Sequence, residues 1–92
     1  MGRTIIISVK ILPTEYDAFF RLIGKDVEFP RSYDWWLKRA SEEDAKCRSR
    51  GDIINEIEVH PKEFTAWSRS AGLDPSFASL RGFAVAKASR KT

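Results

Sequence analysis

The sequence predicts an α+β domain with the element order β-α-α-β-α-α, in which an antiparallel strand pair is covered on one face by helices. Three observations carry that prediction. Two short runs rich in isoleucine and valine, 4–12 and 52–60, each end against a proline. Each proline opens an apolar stripe of helical spacing that closes on a glycine. The stretches VKILPTEYDAFFRLIG (9–24) and IEVHPKEFTAWSRSAG (57–72) also superpose without a gap, at one constant shift along the chain. Within them Pro13/Pro61, Glu15/Glu63, Ala18/Ala66, Arg21/Arg69 and Gly24/Gly72 are identical.

In the first strand, Ile5, Ile7, Val9 and Ile11 share a face, opposite Thr4, Ile6, Ser8, Lys10 and Leu12. Pro13 removes a ladder donor, and its fixed φ suits the first position of a helix. Tyr16, Phe19, Phe20 and Ile23 then fall at i, i+3, i+4 and i+7, a continuous apolar stripe. Gly24 reads as the left-handed closing residue. Residues 25–31 form a connector, and Ser32 is placed to cap a second helix. The predicted stripe of that helix is Tyr33, Trp36, Leu37 and Ala40, after which SEEDAKCRSRG continues as a solvated helix that frays before Gly51.

Residues 52–60 return to strand, with Ile53, Ile57 and Val59 on one face. Pro61 repeats the switch to helix, Phe64, Trp67 and Ala71 supply the stripe, and Gly72 ends it. Asp74 and Pro75 read as cap and first turn of a fourth helix lined by Phe77, Leu80, Ala84 and Ala88, with Gly82 marking a close backbone approach. The pseudo-repeats, about 4–48 and 52–90, read either as a tandem duplication or as two unrelated units with shared punctuation; both give the same element order. If each helix makes one traverse, the second strand runs opposite to the first, and Lys10 meets Glu56 or Glu58 across the ladder. Both outer edges of such a pair stay unpaired.

The chain of 92 residues fits a single domain spanning 1–92. A domain of this size buries roughly two-thirds of its unfolded surface. Its 42% hydrophobic and 32% charged residues are globular values, and 12% aromatic residues must build most of the core. Phe19, Phe20, Trp36, Trp67, Phe77 and Leu80 are the expected centre. Sixteen basic against thirteen acidic side chains leave a net charge of +3, too mild and too mixed for a dedicated nucleic-acid stripe. One cysteine and one histidine supply neither a disulfide nor a zinc-ligand set, so no metal or cofactor is expected. A lone cysteine and the lack of an apolar leader or span make the cytoplasm the expected location, with no membrane role.

Catalysis finds little support, so a non-enzymatic role is expected. Cys47 and His60 lie on either side of the second strand, out of each other's reach if it is extended. The carboxylate pairs Glu42/Glu43 and Glu56/Glu58 lack completing ligands, and the glycines are single and widely spaced. Binding fits better. Trp35 and Trp36 point about 100° apart on a helix, so only Trp36 joins the stripe. Trp35, beside Lys38 and Arg39, is the candidate anchor for a protein partner. The expected role is a small protein-interaction module, such as an inhibitor, adaptor or antitoxin-like factor. The alternative is nucleic-acid binding through the basic face at 38–50, above all Lys46, Arg48 and Arg50. The first strand, through Ile6, Ser8 and Lys10, is also the expected edge for a homodimer.

Overall fold

The computed structural model describes residues 4–90. Its elements are β1 (Ile5–Lys10), a 3-10 turn (Pro13–Glu15) leading into α1 (Tyr16–Ile23), α2 (Tyr33–Ser49), β2 (Ile53–Glu58), α3 (Pro61–Ala71) and α4 (Phe77–Arg90). The order β-α-α-β-α-α is the one read from the sequence. The direction of the strands is not: β1 and β2 are parallel, paired from Ile5 opposite Ile53 to Lys10 opposite Glu58.

The antiparallel expectation failed because it gave the two intervening helices equal weight. With 8 residues, α1 is about 12 Å long at 1.5 Å per residue, too short to recross the sheet. With 17 residues, α2 is about 25 Å long and outreaches a strand of about 20 Å. A single full traverse between two strands makes them parallel, as in any crossover connection. The ladder sets Val9 beside Ile57, and the superposition of the sequence halves matches the same two residues. Corresponding positions of the two halves therefore lie side by side.

The odd-numbered residues toward the C-terminal ends of the strands face the core, whereas Ile5, Ile53 and Asn55 are exposed. Ile11, Ile57 and Val59 are buried together with Tyr16, Phe19, Ile23, Phe29, Trp36, Phe64, Leu80, Phe83 and Ala84, while Ile7 and Val9 are partly covered. Of the expected central residues, Phe19, Trp36 and Leu80 are buried, and Phe20, Trp67 and Phe77 pack against them at partial exposure. On the opposite sheet face Lys10 reaches Glu56 at 4.0 Å, a solvent-exposed pair. Leu37, placed in the α2 stripe by its spacing, is 48% exposed. The stripe instead runs through Trp36, Ala40, Asp44 and Cys47, shifted toward the far end of the helix.

Caps explain the helix ends. Ser32 Oγ accepts from Trp35 N at 3.2 Å, as expected. Gly51 at φ 85° and Gly72 at φ 68° are left-handed and close α2 and α3. At each, the following amide reaches back to a last-turn carbonyl, Asp52 N to Cys47 O at 3.0 Å and Leu73 N to Ser68 O at 2.9 Å. Gly24 departs from its predicted role, since its φ is −57°. Gly82 does not mark a close backbone, because an added Cβ would meet only the Trp67 ring at 3.7 Å. The cap of α4 is Ser76 rather than Asp74, with Ser79 N donating to Ser76 Oγ at 3.0 Å and Ser76 N to Ser79 Oγ at 2.8 Å.

The connector between α1 and α2 is fastened to the rest. Phe29 is buried and stacks on Tyr16 with ring centroids 5.3 Å apart. The Tyr16 hydroxyl donates to Pro30 O, and burial pushes its pKa up to about 12. Asp26 reaches across to α4, where Phe77 N donates to its carboxylate at 2.9 Å, while Glu28 N donates at 3.0 Å. The Phe77 amide first, and then that of Glu28, hold the Asp26 carboxyl below its ordinary value of 3.8.

Two outcomes follow. Trp36→Ala should cost about 3–5 kcal/mol, as for other buried aromatics, and a melting temperature within a degree or two of wild type would contradict this packing. The stabilisation from Asp26 is complete above its unfolded pKa and is lost as pH falls through the lower folded value. Urea titrations from about pH 5 down to about pH 2 should show a steeper loss for wild type than for Asp26→Asn. Parallel profiles would remove the carboxylate from the account.

Candidate functional site

Parallel pairing decides which main-chain groups of β1 are used. Thr4 O accepts from Ile53 N at 2.9 Å, and Lys10 O accepts from Val59 N at 3.0 Å. In this register the amides and carbonyls of the even-numbered β1 residues face β2, and those of Ile7 and Val9 face outward. Among the described residues no side-chain hydrogen bond reaches the main chain of Ile7 or Val9. Ile6, Ser8 and Lys10, named from the sequence as the edge, thus bond inward through their backbones. Proline at position 8 would break the ladder to β2 rather than the outer edge.

That outer edge lies in a half-open groove of about 160 Å³. Four consecutive β1 residues, Ile6 to Val9, line it, with α2 and α4 as its walls and no β2 residue. Trp36, Ala40 and Cys47 from α2 and Phe77 from α4 give it an apolar lining. Charge is divided along it. Arg39 and Arg81 flank the Phe77 ring, their guanidinium carbons 5.5 and 5.8 Å from its centroid. Glu43 and Asp44 stand farther along α2, and Ser8 Oγ donates to Asp44 Oδ1 at 3.4 Å. One end of the groove is cationic and the other anionic.

The edge of β2 is different. Lys87 Nζ donates to Glu58 O at 2.6 Å and to Glu63 Oε1 at 2.6 Å, placing an ammonium and a helix against that side. Of the two strands, β1 is the one whose outward main chain borders an apolar slot.

Trp35 is 63% exposed with Lys38 Nζ 5.3 Å over its ring, so it does not pack beneath the connector. Arg39 is occupied differently: Nη1 donates to Glu28 O at 2.7 Å. It therefore ties the connector to α2 and walls the groove instead of joining Trp35 in one anchor. The basic set is also divided. Lys46 and Arg48 are both on α2, but at this spacing they point to nearly opposite sides of it. Arg50 lies past the helix end, 3.1 Å from Asp52 Oδ2 and 3.4 Å from Cys47 Sγ. Asp52, and next the Cys47 thiol, push the guanidinium pKa further up.

Cys47 is buried beside the groove, and His60 sits at the other end of β2 between Glu15 at 2.7 Å and Glu58 at 3.0 Å. Among the described residues no group of three or more His, Cys, Asp and Glu side chains could hold a metal ion. No helix among them is long and apolar enough to cross a membrane. Sequence reasoning missed Ala40, Asp44, Phe77 and Arg81 as one surface. The i, i+4, i+8 spacing of Trp36, Ala40 and Asp44 was a signal for the α2 wall; nothing local signalled that α4 would meet it.

No family model matches the chain, and no curated protein and no solved structure matches it.

The two tryptophan-helix candidates separate in stability. Trp35→Ala should shift the unfolding free energy by no more than about 0.5 kcal/mol, as for an exposed surface site. Arg39→Ala should cost roughly 1–3 kcal/mol, through its charged hydrogen bond to the connector and its contact with Phe77. Chemical denaturation of the two variants checks this, and equal effects would contradict the distinction.

Proposed function

We propose that the protein is a small protein-interaction module that takes an extended segment of a partner as a third strand on β1. The observation that carries this reading is the outward main chain of Ile7 and Val9 at the floor of the groove between α2 and α4. An added strand gains affinity from main-chain hydrogen bonds and specificity from pockets for its alternate side chains. The apolar lining of Trp36, Ala40 and Phe77 suits such side chains. Arg39 and Arg81 at one end, with Glu43 and Asp44 at the other, favour one direction and an acid-to-base polarity in the segment.

An extended segment suits this slot better than a second copy. A second β1 arrives flanked by its own α2 and α4, which must then meet those already forming the walls. A lone extended chain brings no such helices.

The test is selection from a display library of short peptides on the wild type, with Ala40→Phe as a counter-selection that fills the slot. Enriched peptides should slow amide hydrogen exchange at Ile7 and Val9 and lose binding to Ala40→Phe, provided that variant melts cooperatively. Failure to enrich, or binders that leave both amides exchanging as before, would overturn the reading. Protection of the same amides without peptide, rising with protein concentration in parallel with sedimentation, would instead make a second copy the occupant.

A further inference from the structure

On a different face, α1 and α3 leave a shallow open groove between them. Its floor is Ala18, Leu22, Thr65 and Ala66, and its rim carries Arg21, Lys62 and Arg69. The three cations are exposed, and among the described residues none of them makes an ion pair. No acidic side chain lines the groove. The nearby acids are engaged elsewhere or make no ion pair with the rim. Glu15 binds His60, Glu63 binds Lys87, and Asp17, one turn before Arg21, forms no ion pair with it.

From this geometry we infer that the α1–α3 groove is a docking site for an acidic amphipathic helix of another protein. Charge complementarity selects the occupant. An unopposed cationic rim around an aliphatic floor fits a helix whose apolar stripe enters the groove and whose carboxylates meet the rim. The small side chains Ala18 and Ala66 let a helix approach closely. Nucleic acid is the poorer fit. The groove has no aromatic ring on which a base could stack, and three cations make a sparse phosphate track.

The correspondence between the halves strengthens the assignment. Ala18 matches Ala66 and Arg21 matches Arg69 at the same shift that sets Val9 beside Ile57 in the ladder. Each half therefore contributes the same pair of residue types, a small floor residue and a rim arginine, to one surface. The site is separate from the β1 groove and stands without it.

The probe is a synthetic helical peptide with leucine along one face and glutamate on the other, compared with a lysine version of the same leucine pattern. Fluorescence anisotropy should show binding of the glutamate peptide, weakened by salt, and none of the lysine peptide. The amide resonances that move on binding should belong to α1 and α3. Arg21→Glu combined with Arg69→Glu should weaken binding by at least about tenfold, equivalent to about 1.4 kcal/mol. Ala66→Trp, which keeps every charge but fills the floor, should weaken it as well. All three positions are exposed, and an unchanged melting temperature confirms that each variant is folded. Absence of binding, shifts confined to other elements, or equal affinity in the charge-reversed variant would overturn the inference. So would binding of a duplex or single-stranded oligonucleotide at α1 and α3 in place of the peptide.

Discussion

A pair of parallel strands has no turn of its own, so its existence rests on whatever carries the chain from the end of one strand to the start of the next. Here that element is α2. Its 17 residues outreach the strands, and Gly51 ends it in a left-handed turn that releases the chain directly into β2. A helix two turns shorter would not return the chain to the level of Ile5. The register, with Ile5 opposite Ile53, is set by where that turn falls. The buried stripe of α2 is consequently stretched along the whole helix, from Trp36 to Cys47, with small or polar residues between. That spacing leaves room beside β1, and the groove is the consequence.

The connector that precedes α2 is held as firmly as a secondary element. Phe29 enters an aromatic group with Tyr16, Trp36 and Phe77, its ring centroid 5.3, 5.6 and 6.3 Å from theirs. Asp26 meets the first turn of α4, where unpaired amides and the helix dipole favour a carboxylate. Arg39 closes the set by binding Glu28 O. Contacts remote in sequence thus fix the angle between α2 and α4, and that angle defines the two walls of the β1 groove. The stability of the connector and the shape of the site are one problem.

Much of this was legible in the sequence and some could not be. The prolines at 13 and 61, the stripe of Tyr16, Phe19 and Ile23, and the Ser32 cap report local preferences, and local preferences were sufficient there. On α3 Phe64 is buried as expected, but Ser68 takes the place read for Ala71, which is exposed. Strand direction depends on whether a helix is long enough to cross. The length of α2 is legible nearly in full, but the antiparallel expectation counts α1 as a second traverse that its 8 residues do not make. Leu37 was assigned inward by spacing alone, whereas the tertiary contacts of Asp44 and Cys47 rotated the buried face away from it. The basic residues Lys46, Arg48 and Arg50 looked like a cluster because they are close in sequence. On a helix that ends between them they diverge. Arg39 and Arg81 come together at Phe77 only in three dimensions, so no reading of neighbours could have joined them.

The two halves also differ in a way that sorts their edges. The shift that matches their strands and their first helices would carry Tyr33, the start of α2, onto Arg81, yet α4 already begins at Phe77. The difference lies in the connectors, because the first is the longer and holds Asp26 and Phe29. With the shorter connector, α4 starts sooner and carries Lys87 to the outer side of β2, where it binds Glu58 O and Glu63. In the first half Arg39, which the same shift matches to Lys87, donates instead to Glu28 O of the longer connector, and among the described residues no side-chain hydrogen bond reaches the main chain of Ile7 or Val9. An ammonium on a main-chain carbonyl closes one edge against further strands, as charged groups do on natural sheet edges. The other edge stays open while Arg39, the counterpart of Lys87, is held by the connector.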